Sequence, residues 1–149
     1  MSFETTLQVS WAHLDANGHM ANTSYMVLAI DTRFTYFTSR GFSPDHFRRH
    51  GIGPVVRRDE MDYYRELHLL ERVRVNLLLA GLSGDASRFR IRNEVYREDG
   101  QMAARITSLG GWFDLKARKL VAPPEKLRDS LLGLERTEAY QQLESSIKR

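Results

Sequence analysis

The stretch Trp11-Ala-His-Leu-Asp-Ala-Asn-Gly-His-Met-Ala-Asn-Thr-Ser-Tyr25 concentrates the chemistry of this chain. It carries a carboxylate at Asp15, imidazoles at His13 and His19, turn residues at Asn17 and Gly18, and the start of an apolar run at Tyr25. An acid just ahead of a helix N-terminus lies beside unpaired backbone N–H groups and the positive end of the helix dipole. Such a place can hold an ionised carboxylate and stabilise a negative oxygen on a substrate. From the residues alone, a plain turn with Asp15 bonding nearby backbone is the stronger reading. His19 can position Asp15, contact a substrate or donate to a leaving group, or simply sit in the turn. His13, Asp15 and His19 are of the types that ligate zinc or iron. No metal or other cofactor is expected from them, because a glycine-punctuated loop fixes ligand geometry poorly. His46 and His50 read as a solvated pair on one helix face.

These groups need elements to hold them. Phe3, Thr5, Leu7, Val9 and Trp11 alternate with polar residues and predict a half-buried strand. Asn22 to about Arg40 predicts the one long helix of the first half, with Asn22, Thr23 or Ser24 as its cap and Gly41 as its stop. Its first half, residues 25–30, is apolar nearly all round, which predicts a helix buried on most sides. Asp31 and Arg33 within it read as structural polar groups or dimer contacts. Residues 44–50 allow a short helix. Residues 54–65, 72–84, 88–98 and 102–115 each read as strands, with Asp99-Gly100 as a tight hairpin turn. Gly110-Gly111 predicts a bulge or a close backbone approach. Pro123-Pro124 ends the sheet and precedes a helix over 125–132. Tyr140, Leu143 and Ile147 suggest a final amphipathic helix over 135–147. The order β-α-β-β-β-β-α predicts an α+β domain: one antiparallel, curved sheet wrapped around one long central helix, plus C-terminal helices.

The bulk numbers bound the function. The chain has 149 residues, 42% apolar and 28% charged, with a net charge of +3. One domain is expected, with residues 1–133 as its body and 134–149 as a helical extension. Acids and bases are interspersed, so a nucleic-acid partner is not expected. There is no cysteine, which removes disulfides, thiolate zinc sites and a cysteine nucleophile. No signal peptide and no bilayer-spanning run is read from the sequence, and a cytoplasmic location without membrane contact is expected.

The segment His13-Leu-Asp15-Ala-Asn-Gly18-His19-Met20-Ala21-Asn22-Thr-Ser-Tyr25 resembles the first motif of the hotdog-fold acyl-CoA thioesterases of the 4-hydroxybenzoyl-CoA thioesterase and YbgC/FadM-like group. Asp31-Thr-Arg33, the strand around Val55 to Tyr64, and Gly-Trp-Phe-Asp at 111–114 are similar to later family segments. The likeness covers about Leu7 to Leu132. The pattern's first Asp is His13 here, and the first Asn of its pair is Ala21. Those departures touch substrate range more than reaction.

The resemblance implies a hotdog fold and hydrolysis of acyl-CoA or acyl-carrier-protein thioesters. In that scheme Asp15 is general base or nucleophile. The backbone N–H of Asn22 polarises the thioester oxygen, and His19 plays a positioning role. Gly18, Tyr25, Met61 and Tyr63 are candidates for the substrate pocket, though Met61 and Tyr63 could equally be core. Arg88 is the first choice for a coenzyme A phosphate, against the simpler reading of a solvated sheet face. A homo-oligomer, dimer or tetramer, is implied, with sheets joined edge to edge. An acyl-CoA hydratase or dehydratase and a non-catalytic acyl-CoA binding module remain as alternatives on the same fold.

Overall fold

The computed structural model describes residues 2–147. Strand β1 (Phe3–Gln8) leads into a 3-10 turn at Trp11–His13, then α1 (Asn22–Ser39) and α2 (Pro44–His50). The antiparallel run follows as β2 (Ile52–Tyr63), β3 (Arg72–Ser83), β4 (Arg88–Tyr96), β5 (Met102–Asp114) and the short β6 (Lys119–Val121). The chain finishes with α3 (Glu125–Leu132) and β7 (Arg136–Leu143). The sheet has seven strands, in the order β1-β3-β4-β5-β2, with β6 on β5 and β7 on β3.

Alternation puts Val73, Val75, Leu77 and Leu79 of β3 and Phe89, Ile91 and Val95 of β4 on the inner face, all buried. Helix α1 lies against that face through Tyr25, Leu28, Ala29, Tyr36 and Phe37. It ends where Gly41 adopts φ +88°, a backbone region that costs residues with a Cβ. The expectation of burial on most sides holds for only part of the helix. Val27 is 50% and Ile30 41% exposed, so one apolar flank of α1 is uncovered within a single chain. Trp11 also departs from expectation: the β1 alternation stops at Val9, and the 3-10 turn leaves the indole 79% exposed.

Arg33 is buried under α1, and its partners come from the sheet. Its Nε donates to Asn93 Oδ1 at 2.8 Å, and an Nη donates to Ser108 Oγ at 2.9 Å. Ser108 donates onward to Asp59 Oδ1 at 2.5 Å. Burial lowers the guanidinium pKa to about 10, and the Asp59 charge opposes that pull; the group stays charged at any working pH. Asp31, two residues earlier, is exposed.

Gly110 shows why β5 needs glycine. A Cβ there would lie 2.2 Å from the Val55 carbonyl oxygen of β2. The approach sits beside the β2–β5 register shift between Val56 and Arg58.

The final segment corrects the sequence reading. Residues 136–143 form a strand parallel to β3, not a helix. Thr137, Tyr140 and Leu143 are its more buried positions, a spacing of three that imitates a helical stripe. The cause is an irregular ladder: Arg136 pairs with Leu79 and Gln141 with Gly81, so β7 carries extra residues between its paired points. Gly81 makes the room, since a Cβ there would meet Gln141 O at 2.9 Å. Beyond β7 the tail is fastened by Asp85. Desolvation opposes its charge, but hydrogen bonds from Ser145, Ser87 and Ser83 outweigh that and hold the carboxyl well below its usual range. A depressed folded pKa contributes stability that is present above the unfolded value and lost as pH falls through the folded one. Asp85→Asn is therefore expected to flatten the acid limb of the stability profile below about pH 4. Thermal melts of both proteins across that range would show it; identical acid limbs would refute it.

Candidate active site

The loop carrying Asp15 is a small backbone-bonded turn stitched onto a neighbouring segment. Leu14 bridges Met20, and His19 bridges His68, both antiparallel. The Asp15 N–H donates to His19 O at 2.9 Å, and Gly18, at φ +77°, returns its N–H to Asp15 O at 3.1 Å. Met20 N–H donates to Leu67 O at 2.8 Å. Asp15 Oδ1 accepts the N–H groups of Asn17 (2.8 Å) and His19 (3.3 Å). The Asx turn and a pocket-facing carboxylate thus coexist: both bonds use Oδ1 and neither uses Oδ2.

Helix α1 begins against this turn. The N-cap position is Ala21, one residue before the capping candidates named from sequence, and it offers no side-chain acceptor. The Ala21 N–H is taken by His13 O at 2.8 Å, and the Ser24 N–H by Ala21 O at 2.9 Å. Among the described residues this leaves the N–H groups of Asn22 and Thr23 as the free donors of the helix start. An uncapped end keeps its donors and its partial positive charge available to a ligand.

A pocket of about 340 Å³ joins these groups. Asp15, His19, Asn22, Tyr25 and Tyr63 line it together with Glu66. Tyr63 donates to the Asn22 carbonyl at 3.2 Å and touches Met61 Sδ at 3.4 Å. Its ring meets Tyr25 edge-on, with centroids 5.3 Å apart. Met61 is half-buried against the core behind this wall. The Tyr25 hydroxyl donates to Arg65 O at 3.4 Å. Burial first, then the negative charge that Tyr63, Glu71, Asp15 and Glu66 bring, pushes its pKa up to about 12. Tyr25 therefore remains a neutral donor at working pH. A raised folded pKa gives stability that is complete below the unfolded value near 10 and is lost as pH rises through about 12. Tyr25→Phe is expected to lose part of this alkaline sensitivity, read from unfolding midpoints between pH 9 and 12. A wild-type profile flat over that range would contradict the burial argument.

Two features lie apart from this pocket. Arg88 stands at the opposite end of β4 from Val95, which pairs with Ala104 next to Tyr63; its Nε donates to Ser146 Oγ at 3.4 Å. Within one chain it is not brought to Asp15. A second, apolar cavity of about 390 Å³ lies under the later turns of α1, between Ile30, Phe34, Val56 and Trp112. Among the described residues its only charged lining residue is Arg33, so it offers space without a reacting group. Sequence reasoning missed Glu66 and His68, which face the Asp15 turn. Their signal was slight: Glu66-Leu67-His68 alternates about a fully buried Leu67, which sends the two polar side chains to one side.

A single long helix laid against one curved, mainly antiparallel sheet defines the hotdog class, and solved structures agree. A Staphylococcus aureus protein solved in complex with CoA superposes with a TM-score of 0.82 at 21% identity, covering 92% of this chain and 87% of that one. A 1,4-dihydroxy-2-naphthoyl-CoA thioesterase from Synechocystis gives 0.80 at 20% identity, covering 90% and 98%. The probable thioesterase YbaW of Escherichia coli gives 0.70 at 24% identity, covering 86% and 95%. No curated protein sequence matches. The family model described as the thioesterase-like superfamily matches residues 9–131. The chain belongs to that superfamily.

Proposed function

We propose that this protein hydrolyses acyl-CoA thioesters to the free acid and CoA at the Asp15 pocket. The observation that carries the reading is the meeting of Asp15 with Asn22, whose N–H is a free donor at the start of α1, at one pocket. Thioester hydrolysis needs a base or nucleophile near the carbonyl carbon and donors where the oxygen becomes negative. With the thioester oxygen against the start of α1, Asp15 either takes a proton from an attacking water or attacks the carbonyl itself. In the second route the acyl-aspartate anhydride is then opened by water. In both routes the C–S bond breaks, CoA leaves as a thiolate that takes up a proton, and water supplies the oxygen of the acid. His19 holds Asp15 through its backbone N–H. Tyr25 and Tyr63 form an aromatic wall beside the acyl carbonyl.

The reading includes a cytoplasmic enzyme acting as a homo-oligomer, a dimer or a tetramer. Among the described residues no helix is long and apolar enough to cross a membrane. Strand β2 is an outer strand of the sheet path, exposed from Pro54 to Glu60, and Val55 and Val56 are 36% and 48% exposed. A long exposed edge beside an uncovered apolar helix flank favours pairing with a second copy. Light scattering is expected to give at least a dimer; a monomer at micromolar concentration would count against this part. Free-thiol release from aromatic, short-chain and long-chain acyl-CoA tests the activity and finds the acyl group. Tight CoA-ester binding without hydrolysis at any chain, or hydration of an enoyl-CoA in its place, would overturn the proposal.

A further inference from the structure

Beside the Asp15 turn lies a cluster of side-chain groups that the proposed hydrolysis does not use. His19 Nε2 is 3.2 Å from Glu66 Oε2, and His68 Nε2 is 3.6 Å from the same oxygen. One ligand atom from each of the three residues falls within 4.8 Å of the others. From this we propose that His19, Glu66 and His68 form a binding site for one divalent zinc-type cation, with its remaining coordination position open to solvent.

Backbone geometry supports the site. His19 and His68 are direct antiparallel partners, and opposed residues on paired strands hold their Cβ atoms close. The two rings stand 5.2 Å apart, edge to face. The separations also suit the ion. Zinc–nitrogen and zinc–oxygen bonds of roughly 2.0–2.1 Å place neighbouring tetrahedral ligand atoms about 3.3 Å apart. Two of the three edges already stand near that value, and a small turn of one imidazole closes the third.

Glu71 supplies the outer support. Its Oε1 lies 3.6 Å from His68 Nδ1 and accepts the His68 backbone N–H at 3.2 Å. A carboxylate beside the far nitrogen favours the tautomer that presents Nε2 to a metal. Glu71 is itself held by Arg97 at 3.6 Å, and its side chain is 13% exposed. A chance surface pairing of histidine with acid does not require this second, largely buried carboxylate. Two imidazoles with one carboxylate select zinc, cobalt or nickel over magnesium or calcium, which prefer oxygen alone. Within residues 11–25 no such set is complete: His13 Nδ1 is engaged by the Ser10 N–H at 3.0 Å. The segment opposite, Glu66-Leu67-His68, completes it.

Binding can be measured without reference to catalysis. The chelator-treated full chain would be titrated with zinc against a chromophoric chelator, and with cobalt by visible absorption. The expected result is one ion per chain, with a cobalt spectrum of tetrahedral type. His68→Ala should weaken zinc by roughly a hundredfold or more, and Glu71→Gln, acting only through His68, by roughly tenfold to a hundredfold. Far-ultraviolet circular dichroism would verify that both variants fold. His46→Ala on α2 should leave zinc affinity unchanged. Zinc binding that is equal in wild type and His68→Ala, or loss of binding in His46→Ala alone, would overturn the proposal. So would an absence of zinc binding in the folded wild-type chain, or preference for magnesium. Failure of thioester hydrolysis would leave these outcomes intact.

Discussion

Asp15→Asn is expected to lower kcat for acyl-CoA hydrolysis by about 10²- to 10⁴-fold, the usual contribution of a positioned base. KM should change little, because the helix-start donors and aromatic wall proposed to bind the ester are untouched. The substitution suits the test for a structural reason. Asp15 Oδ1 accepts the Asn17 and His19 N–H groups, and an asparagine side-chain oxygen can accept both. The turn should persist and the unfolding midpoint should stay near that of wild type. What disappears is the anionic oxygen that would take a proton or attack carbon. A matched fall in kcat and kcat/KM identifies an interaction made in the transition state. A rise in KM with kcat preserved would make Asp15 a binding residue only.

Arg33→Ala should be the most destabilising single change among the polar residues of α1, by about 2–4 kcal/mol. The loss is larger than the hydrogen bonds themselves. Asn93 and Ser108 are fully buried, and truncation leaves the Asn93 oxygen without its donor and Ser108 without the guanidinium. Buried polar atoms stripped of partners cost their full desolvation. For a chain of this size the melting temperature should drop by roughly 10 °C. Asp31→Ala, two residues away but exposed, should shift stability by no more than about 0.5 kcal/mol. Denaturant melts of the two variants side by side would check the contrast; equal effects would mean that the network under α1 contributes little.

That contrast shows what was legible in the sequence. The long helix, the four long strands and the Asp99-Gly100 turn could be read because their periods and breakers agree with one another. The same patterns could not say which face of α1 lacks a neighbour, so Val27 and Ile30 looked as buried as Leu28. Nor could they separate Arg33 from Asp31, since its partners lie 60 and 75 residues along the chain. β7 was misread because a bulged ladder spaces its buried residues by three, as a helix would. The short β6 left no periodic signal to read. At the site, Asp15, Gly18, His19 and Asn22 stood out because turn and helix start are local in sequence. Glu66 and His68 did not, because an isolated bridge between two distant loop segments brings them to His19.

Thioester cleavage at Asp15 is the central proposal. The most direct test is free-thiol release from the best acyl-CoA of the panel, followed for wild type and Asp15→Asn at saturating substrate. Steady turnover by wild type and its near-complete loss in a folded Asp15→Asn protein is the predicted result. No thiol release by wild type, or an undiminished rate in the variant, would contradict it.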